Sequence, residues 1–100
     1  MAWSYGTLSS IPRDVKGVYA FWFRITGRCI YVGESSGQSI KKRLRDHWRS
    51  SHSELLQLWM SAYGEHFDLC WAEVAQDRIK TVERRLIKRW KPEVNIHHNR

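Results

Sequence analysis

One helix limits what this chain can fold into. Between Asp77 and Trp90 the apolar residues fall at Ile79, Val82, Leu86, Ile87 and Trp90, the three- and four-residue spacing of a single helix face. Arg78, Arg84, Arg85, Lys88, Arg89 and Lys91 take the opposite side. A helix with one apolar stripe needs a second layer to lie on. Glu83 breaks the pattern, four residues after Ile79 and four before Ile87, so a carboxylate sits inside the stripe. Burying it unpaired is costly, so it calls for a cation, a metal ion or a hydrogen-bond network as partner.

The second layer is legible upstream. Residues 17–25 and 29–32 are rich in aromatic and β-branched side chains, and Thr26, Gly27 and Arg28 between them carry a turn signal, so the spacing predicts a β-hairpin. Residues 33–37 read as a loop. Ile40, Leu44 and Trp48, four apart, predict a helix over about 39–48. Ser51 to Glu54 has the form of a capping box opening a helix over roughly 52–63, which Gly64 ends. Phe67, Leu69 and Trp71 alternate within a third strand over 66–74. Asp77 is placed to cap the last helix, which stops before Lys91-Pro92. The first 13 residues have no period and read as an extended lead-in. The order is β-β-α-α-β-α, an α+β fold with a small three-stranded, mainly antiparallel sheet flanked by helices. With 100 residues the chain is expected to form a single domain, its core at about 15–96.

Composition narrows the class. An apolar fraction of 42% with six Trp argues against disorder. No run is long enough to span a bilayer and the start lacks a secretory pattern, so no membrane is expected. Cys29 and Cys70 stand alone, in no metal-ligand spacing, and read as buried thiols of a reducing compartment. The expectation is a soluble intracellular protein, in the cytoplasm, with the nucleoid or a eukaryotic nucleus as the other compartments. Trp3 and Trp59 are the aromatic candidates for exposure.

Charge says what such a protein would meet. The net charge is +7, and the cations are clustered. Residues 41–49 hold Lys41, Lys42, Arg43, Arg45 and Arg49 against Asp46 alone. Residues 78–91 hold seven cations against Glu83 alone, and residues 50–77 hold five acids and no Lys or Arg. Two basic helical segments around an acidic stretch point to one positive face that tracks a polyanion. Lys41, Lys42, Arg45, Arg49, Arg84, Lys88 and Lys91 are its expected contacts, and a nucleic acid the expected partner.

Four residues could do chemistry beside that face. Arg43 and His47 are four apart and share one helix surface, at the rim of the Ile40/Leu44 stripe. An Arg there can grip a phosphate with two parallel hydrogen bonds, and a His one turn on can move a proton near neutral pH. Tyr19 and Tyr31 lie on the hairpin. A phenol ionises near pH 10, so it serves as a base only where cations lower the barrier.

These residues resemble a known family. Gly17-Val18-Tyr19 followed by Tyr31-Val32-Gly33 looks like the paired signature of the GIY-YIG endonucleases. Ile40 to Leu44, with His47 four after Arg43, resembles the family's first helix. Glu83 to Lys88, then Lys91-Pro92 and Asn95, resembles the glutamate helix and terminal Lys-Pro-x-x-Asn of its excision-repair and intron-homing members.

The resemblance implies roles. Glu83 would be the single protein ligand of a divalent metal, Mg²⁺ or Mn²⁺. Arg43 would neutralise charge growing on the scissile phosphate, with Arg45 the alternative if the register shifts. Tyr19, Tyr31 and His47 would line the nucleophile's side, one tyrosine serving as base, and Asn95 would position backbone or phosphate from the chain's end. Glu34 stands where several members have a Lys near the active site; if that Lys helps activate a tyrosine, its absence weakens the enzyme or shifts the task to Lys41, Lys42 or His47. The implied activity is metal-dependent hydrolysis of DNA phosphodiesters, structure-specific or acting with a targeting partner or as a homodimer. The alternatives are a catalytically silent nucleic-acid-binding module of the same fold, and an adaptor whose Trp residues meet a protein.

Overall fold

A computed structural model of the chain describes residues 9–49 and 54–98. Three strands, β1 (Gly17–Phe23), β2 (Arg28–Ser35) and β3 (Phe67–Glu73), form an antiparallel sheet in the order β2-β1-β3. Helices α1 (Ile40–Arg49) and α2 (Glu54–Tyr63) come between β2 and β3, and α3 (Ile79–Trp90) follows β3. This is the expected α+β order, with a short helix α4 (Glu93–His98) added at the end. Six residues are too few to carry a periodic signal.

The hairpin turns at residues 24–27, where Gly27 takes φ 71° and its N–H donates to Phe23 O at 2.8 Å. The β1/β2 register then slips: Trp22 pairs with Cys29 and Phe21 with Tyr31, which leaves Ile30 as the extra residue of a bulge. The slip resets the alternation of β2. Ile30 and Tyr31 both join the Tyr19/Phe21 side, and Cys29 and Val32 face the other. β2 also runs three residues past the expected loop start, because Gly33, Glu34 and Ser35 pair with Tyr19, Val18 and Gly17.

Each face of the sheet is covered. Tyr19, Phe21, Ile30, Phe67 and Leu69 pack with Ile40 and Leu44 of α1, Leu56 of α2, Ile11 of the lead-in and Val94 of α4. Ile40, Leu44 and Leu56 are fully buried, each worth about 1.5–3 kcal/mol of transfer free energy. On the opposite face, Leu86, Ile87 and Trp90 of α3 pack on Ala20, Cys29 and Val32. α1 starts at Ser39, whose Oγ accepts from Lys42 N–H at 3.1 Å. α3 ends at Lys91, left-handed with φ 47°, whose N–H closes on Ile87 O at 2.9 Å before Pro92.

Several local expectations are corrected. Asp77 lies in a short 3-10 turn, Gln76–Arg78, and does not cap α3: the N-cap is Arg78, with no side-chain hydrogen bond. Cys70 is exposed, because its side of β3 lies beyond the cover of α3. Trp59 is half-buried among Phe23, Tyr63 and Phe67, and Leu58 next to it is the exposed residue at 66%. Trp3 and the expected cap residues Ser51 to Ser53 lie outside the described residues, as does most of the lead-in. No helix among the described residues is long and apolar enough to cross a membrane.

Candidate active site

Tyr19, on the central strand, is 1% exposed, and its ring lies across Gly33 on β2. The two are cross-strand partners, so a Cβ at Gly33 would occupy the same space as the Tyr19 phenol. From α1, His47 reaches the same point, with Nε2 2.7 Å from the Tyr19 hydroxyl. In the tautomer with Nε2 unprotonated, the hydroxyl donates and the imidazole accepts. His47 is 4% exposed, so it sits deeper than the rim position expected for it. The bulge at Ile30 brings Tyr31 to this side too, its ring centroid 6.3 Å from Tyr19 and 5.6 Å from His47. One turn before His47, Arg43 lies beside both phenols.

The surroundings set the charges. Burial pushes the Tyr19 hydroxyl well above its usual range, with Tyr31 adding to the rise and Arg43 pulling back. Burial also raises Tyr31, again opposed by Arg43. Both phenols are therefore neutral near pH 7, and Arg43 is the group that eases their ionisation. Glu83 on α3 is raised first by burial and then by Glu34, against the pull of Lys80, Arg43 and Arg84. Glu83 thus feels the same arginine as the tyrosines, although it belongs to the helix on the other face of the sheet. α3 lies chiefly over β2, the edge strand, and around that edge the two layers meet.

The other site residues fall into separate places. Asn95 is 6% exposed and its amide grips Val32: Oδ1 accepts from Val32 N–H at 2.8 Å and Nδ2 donates to Val32 O at 2.9 Å. It occupies the free edge of β2 as a neighbouring strand would, between Tyr31 and Gly33 in sequence. An ion pair from Arg28 to Glu93 holds α4 at the same edge. Lys41, Lys42 and Arg45 line a different cleft from the phenols. Arg84 and Lys88 are exposed on the outside of α3, Lys91 is exposed at its end, and the Arg49 side chain lies outside the described residues.

Of two further residues near the site, Glu34 drew notice in the sequence only as a departure from a Lys, and Ser35 carried no signal. Glu34, whose Oε2 accepts from Ser36 N–H at 2.7 Å, neighbours Glu83 electrostatically and lines a recess with Arg43. Ser35 ties the strand ends together, its Oγ accepting from Gly17 N–H at 3.2 Å. Cysteine chemistry is absent from the cluster: burial pushes the Cys29 thiol up to about 12, on the opposite face of the sheet.

Two substitutions test this geometry. Gly33→Ala should displace the Tyr19 ring, destabilising the fold by about 1–3 kcal/mol. It should also cost roughly 100-fold in any rate that depends on Tyr19, as misplacement by about 1 Å does; thermal melts and single-turnover rates measure the two effects. Asn95→Ala strands a buried N–H and a buried C=O of Val32, so urea melts should show a loss of about 2–4 kcal/mol. Asn95→Asp keeps the acceptor but sets a carboxylate oxygen against Val32 O, and should not restore the stability.

The model of the GIY-YIG catalytic domain family matches residues 15–95 of the chain. Comparison with the curated proteins finds no match.

Proposed function

The chain belongs to the GIY-YIG family, a nuclease family, and on that premise we propose that it is a divalent-metal-dependent endonuclease that hydrolyses DNA phosphodiester bonds. The observation that carries the reading is the convergence of Tyr19, Tyr31, His47 and Arg43 from two strands and a helix, charge-coupled to Glu83. A purely structural cluster has no need of an arginine placed beside a buried and a partly buried phenol.

The residues fit a hard divalent cation. Glu83 is a half-buried carboxylate whose ionised form is disfavoured by burial and by Glu34, so a cation there relieves a real electrostatic cost. Among the described residues no three His, Cys, Asp or Glu side chains come together. One protein carboxylate suits Mg²⁺ or Mn²⁺, which keep waters and take phosphate oxygens as further ligands. When bound, the ion supplies charge neutralisation at the phosphate and leaving oxygen.

The protein's own groups do the rest. Arg43 stabilises charge developing on the phosphate oxygens and holds the phenols nearest to ionisation. A neutral phenol takes the proton of the attacking water only as its own proton leaves, and Tyr19 has an acceptor for that proton in His47 Nε2 at 2.7 Å. Asn95 acts through the backbone, fixing the strand that carries Tyr31 and Gly33. Lys41, Lys42, Arg45, Arg84, Lys88 and Lys91 supply the basic surface for the DNA. The reading takes the chain as one nuclease domain with its core at 15–96, acting on branched or flap structures in repair, or brought to its target by a partner or a second copy.

The test is cleavage of supercoiled plasmid and of a branched-junction oligonucleotide, with Mg²⁺, with Mn²⁺ and with chelator, by wild type and Glu83→Gln. Metal-dependent nicking lost in the variant is the expected result. A folded wild type that binds DNA and cuts neither substrate in any metal would make the chain a silent binding module instead.

A further inference from the structure

Beside the phenol cluster lies a second feature that the chemistry above does not use. Arg13 and Lys16, in the segment leading into β1, meet Lys41, Lys42 and Arg45 of α1 around an open cleft of about 660 Å³. The two segments are fixed to one another by the Ile40 N–H, which donates to Val15 O at 2.8 Å. Among the described residues the ion pairs are Arg24–Asp68, Arg28–Glu93 and Glu65–His66, and none of the five cleft cations takes part in one. Two acids, Asp14 and Asp46, share the cleft wall with these cations, and Asp46 already accepts from Gln38 Nε2 at 3.3 Å.

The placement is costly in the free protein. The first turn of α1 holds no acid, and Lys41 and Lys42 stand at the helix end that already carries the positive pole of its dipole. Arg13 and Lys16 add further positive charge to that end. A cleft that gathers five cations against two acids beside the start of α1 is relieved by an anion, and a chain of phosphates is the anion that can span all five. The cleft also leads to the site. Gln38 lines both it and the neighbouring recess, which Arg43 and Glu34 line.

We propose that this cleft holds the sugar-phosphate backbone of the DNA strand on one side of the cut, with Arg13 and Lys16 gripping phosphates that Gln38 leads toward Arg43. The proposal rests on the nuclease reading and deepens it, assigning to the segment before β1 a share in holding substrate. The basic outer face of α3 lies elsewhere and is not part of this track.

Binding in chelator separates this proposal from catalysis. The full chain is titrated with a labelled junction oligonucleotide across a range of salt, and the slope of log affinity against log salt is compared between variants. Arg13→Ala/Lys16→Ala should lower that slope by about 1.8, at about 0.9 for each phosphate no longer neutralised. Lys42→Ala/Arg45→Ala should do the same, a second pair that guards against misfolding of the first. Arg85→Ala/Arg89→Ala removes the same charge from α3 at positions outside the contacts proposed for Arg84, Lys88 and Lys91, and should leave the slope in place. Equal losses in all three pairs would reduce the effect to overall charge and overturn the proposal. No loss in either cleft pair, with wild type still binding and cutting, would overturn the proposal alone. A folded wild type that binds no DNA would overturn the nuclease reading and the proposal with it.

Discussion

Glu83→Gln should abolish metal-dependent cleavage and, at neutral pH, give a protein that melts higher than wild type. The first effect follows from the role proposed for the carboxylate. Charge stabilisation by a bound divalent ion is worth several kcal/mol, so a loss of about 10³-fold or more is expected once its ligand is gone. The second effect follows from burial and charge. Desolvation and the neighbouring Glu34 hold the folded-state pKa of Glu83 above the ordinary glutamate value. The folded protein therefore binds that proton more tightly than the unfolded chain, and stability falls as pH rises from the ordinary glutamate range through the raised value. Glutamine carries no such penalty. The melting temperatures of the two proteins should converge below the ordinary glutamate range and separate above the raised one, with the glutamine variant the more stable. Millimolar Mg²⁺ should raise the melting temperature of wild type and leave the variant unchanged, because a ligand stabilises only the state that binds it. A variant that cuts at the wild-type rate would remove Glu83 from the metal site, and one that melts lower at pH 8 would mean that its carboxylate has a stabilising partner.

The paradox of a carboxylate in an apolar stripe is readable in the chain because helical periodicity is a local property. The same holds for the order β-β-α-α-β-α: aromatic alternation and four-residue apolar spacing each express contacts between an element and a single layer. What resists reading depends on partners distant in sequence. Gly33 reads as the start of a loop, yet it is a strand residue kept free of a side chain because the Tyr19 ring lies across it. The bulge at Ile30 leaves no mark in composition, although without it Tyr31 would alternate differently with its strand neighbours. Asn95 bonds to Val32, 63 residues away, and no spacing near either announces it. Glu34 gains its meaning only from its closeness to Glu83 on another element, and Arg13 and Lys16 only from lying against α1. Cys70 and Trp59 depart from expectation for a related reason: how far a helix covers a sheet is decided by packing, and residue type does not encode it.

Arg43→Ala should lower kcat by about 10²–10³-fold, the cost of removing one donor aimed at developing negative charge. Lysine at this position should recover little of it, because a point charge cannot serve two phenols and a phosphate with the fork of a guanidinium. Arg45→Ala should behave differently. Arg45 lines the basic cleft with Lys41 and Lys42, so its loss should appear in binding and in the salt slope, with a much smaller change in kcat. The reverse order of effects on kcat would exchange the roles of the two arginines. A second readout needs neither metal nor DNA. Arg43 pulls both Tyr19 and Tyr31 downward against the rise that burial imposes. A cation stabilises phenolate over phenol, so its removal must shift both titrations further toward alkaline pH. Ultraviolet difference titration of Arg43→Ala, with Tyr19→Phe and Tyr31→Phe to assign the transitions, should show that upward shift while the folded protein persists. If the phenols titrate unchanged without Arg43, the arginine does not act on them, and its part in the reaction would be confined to the phosphate.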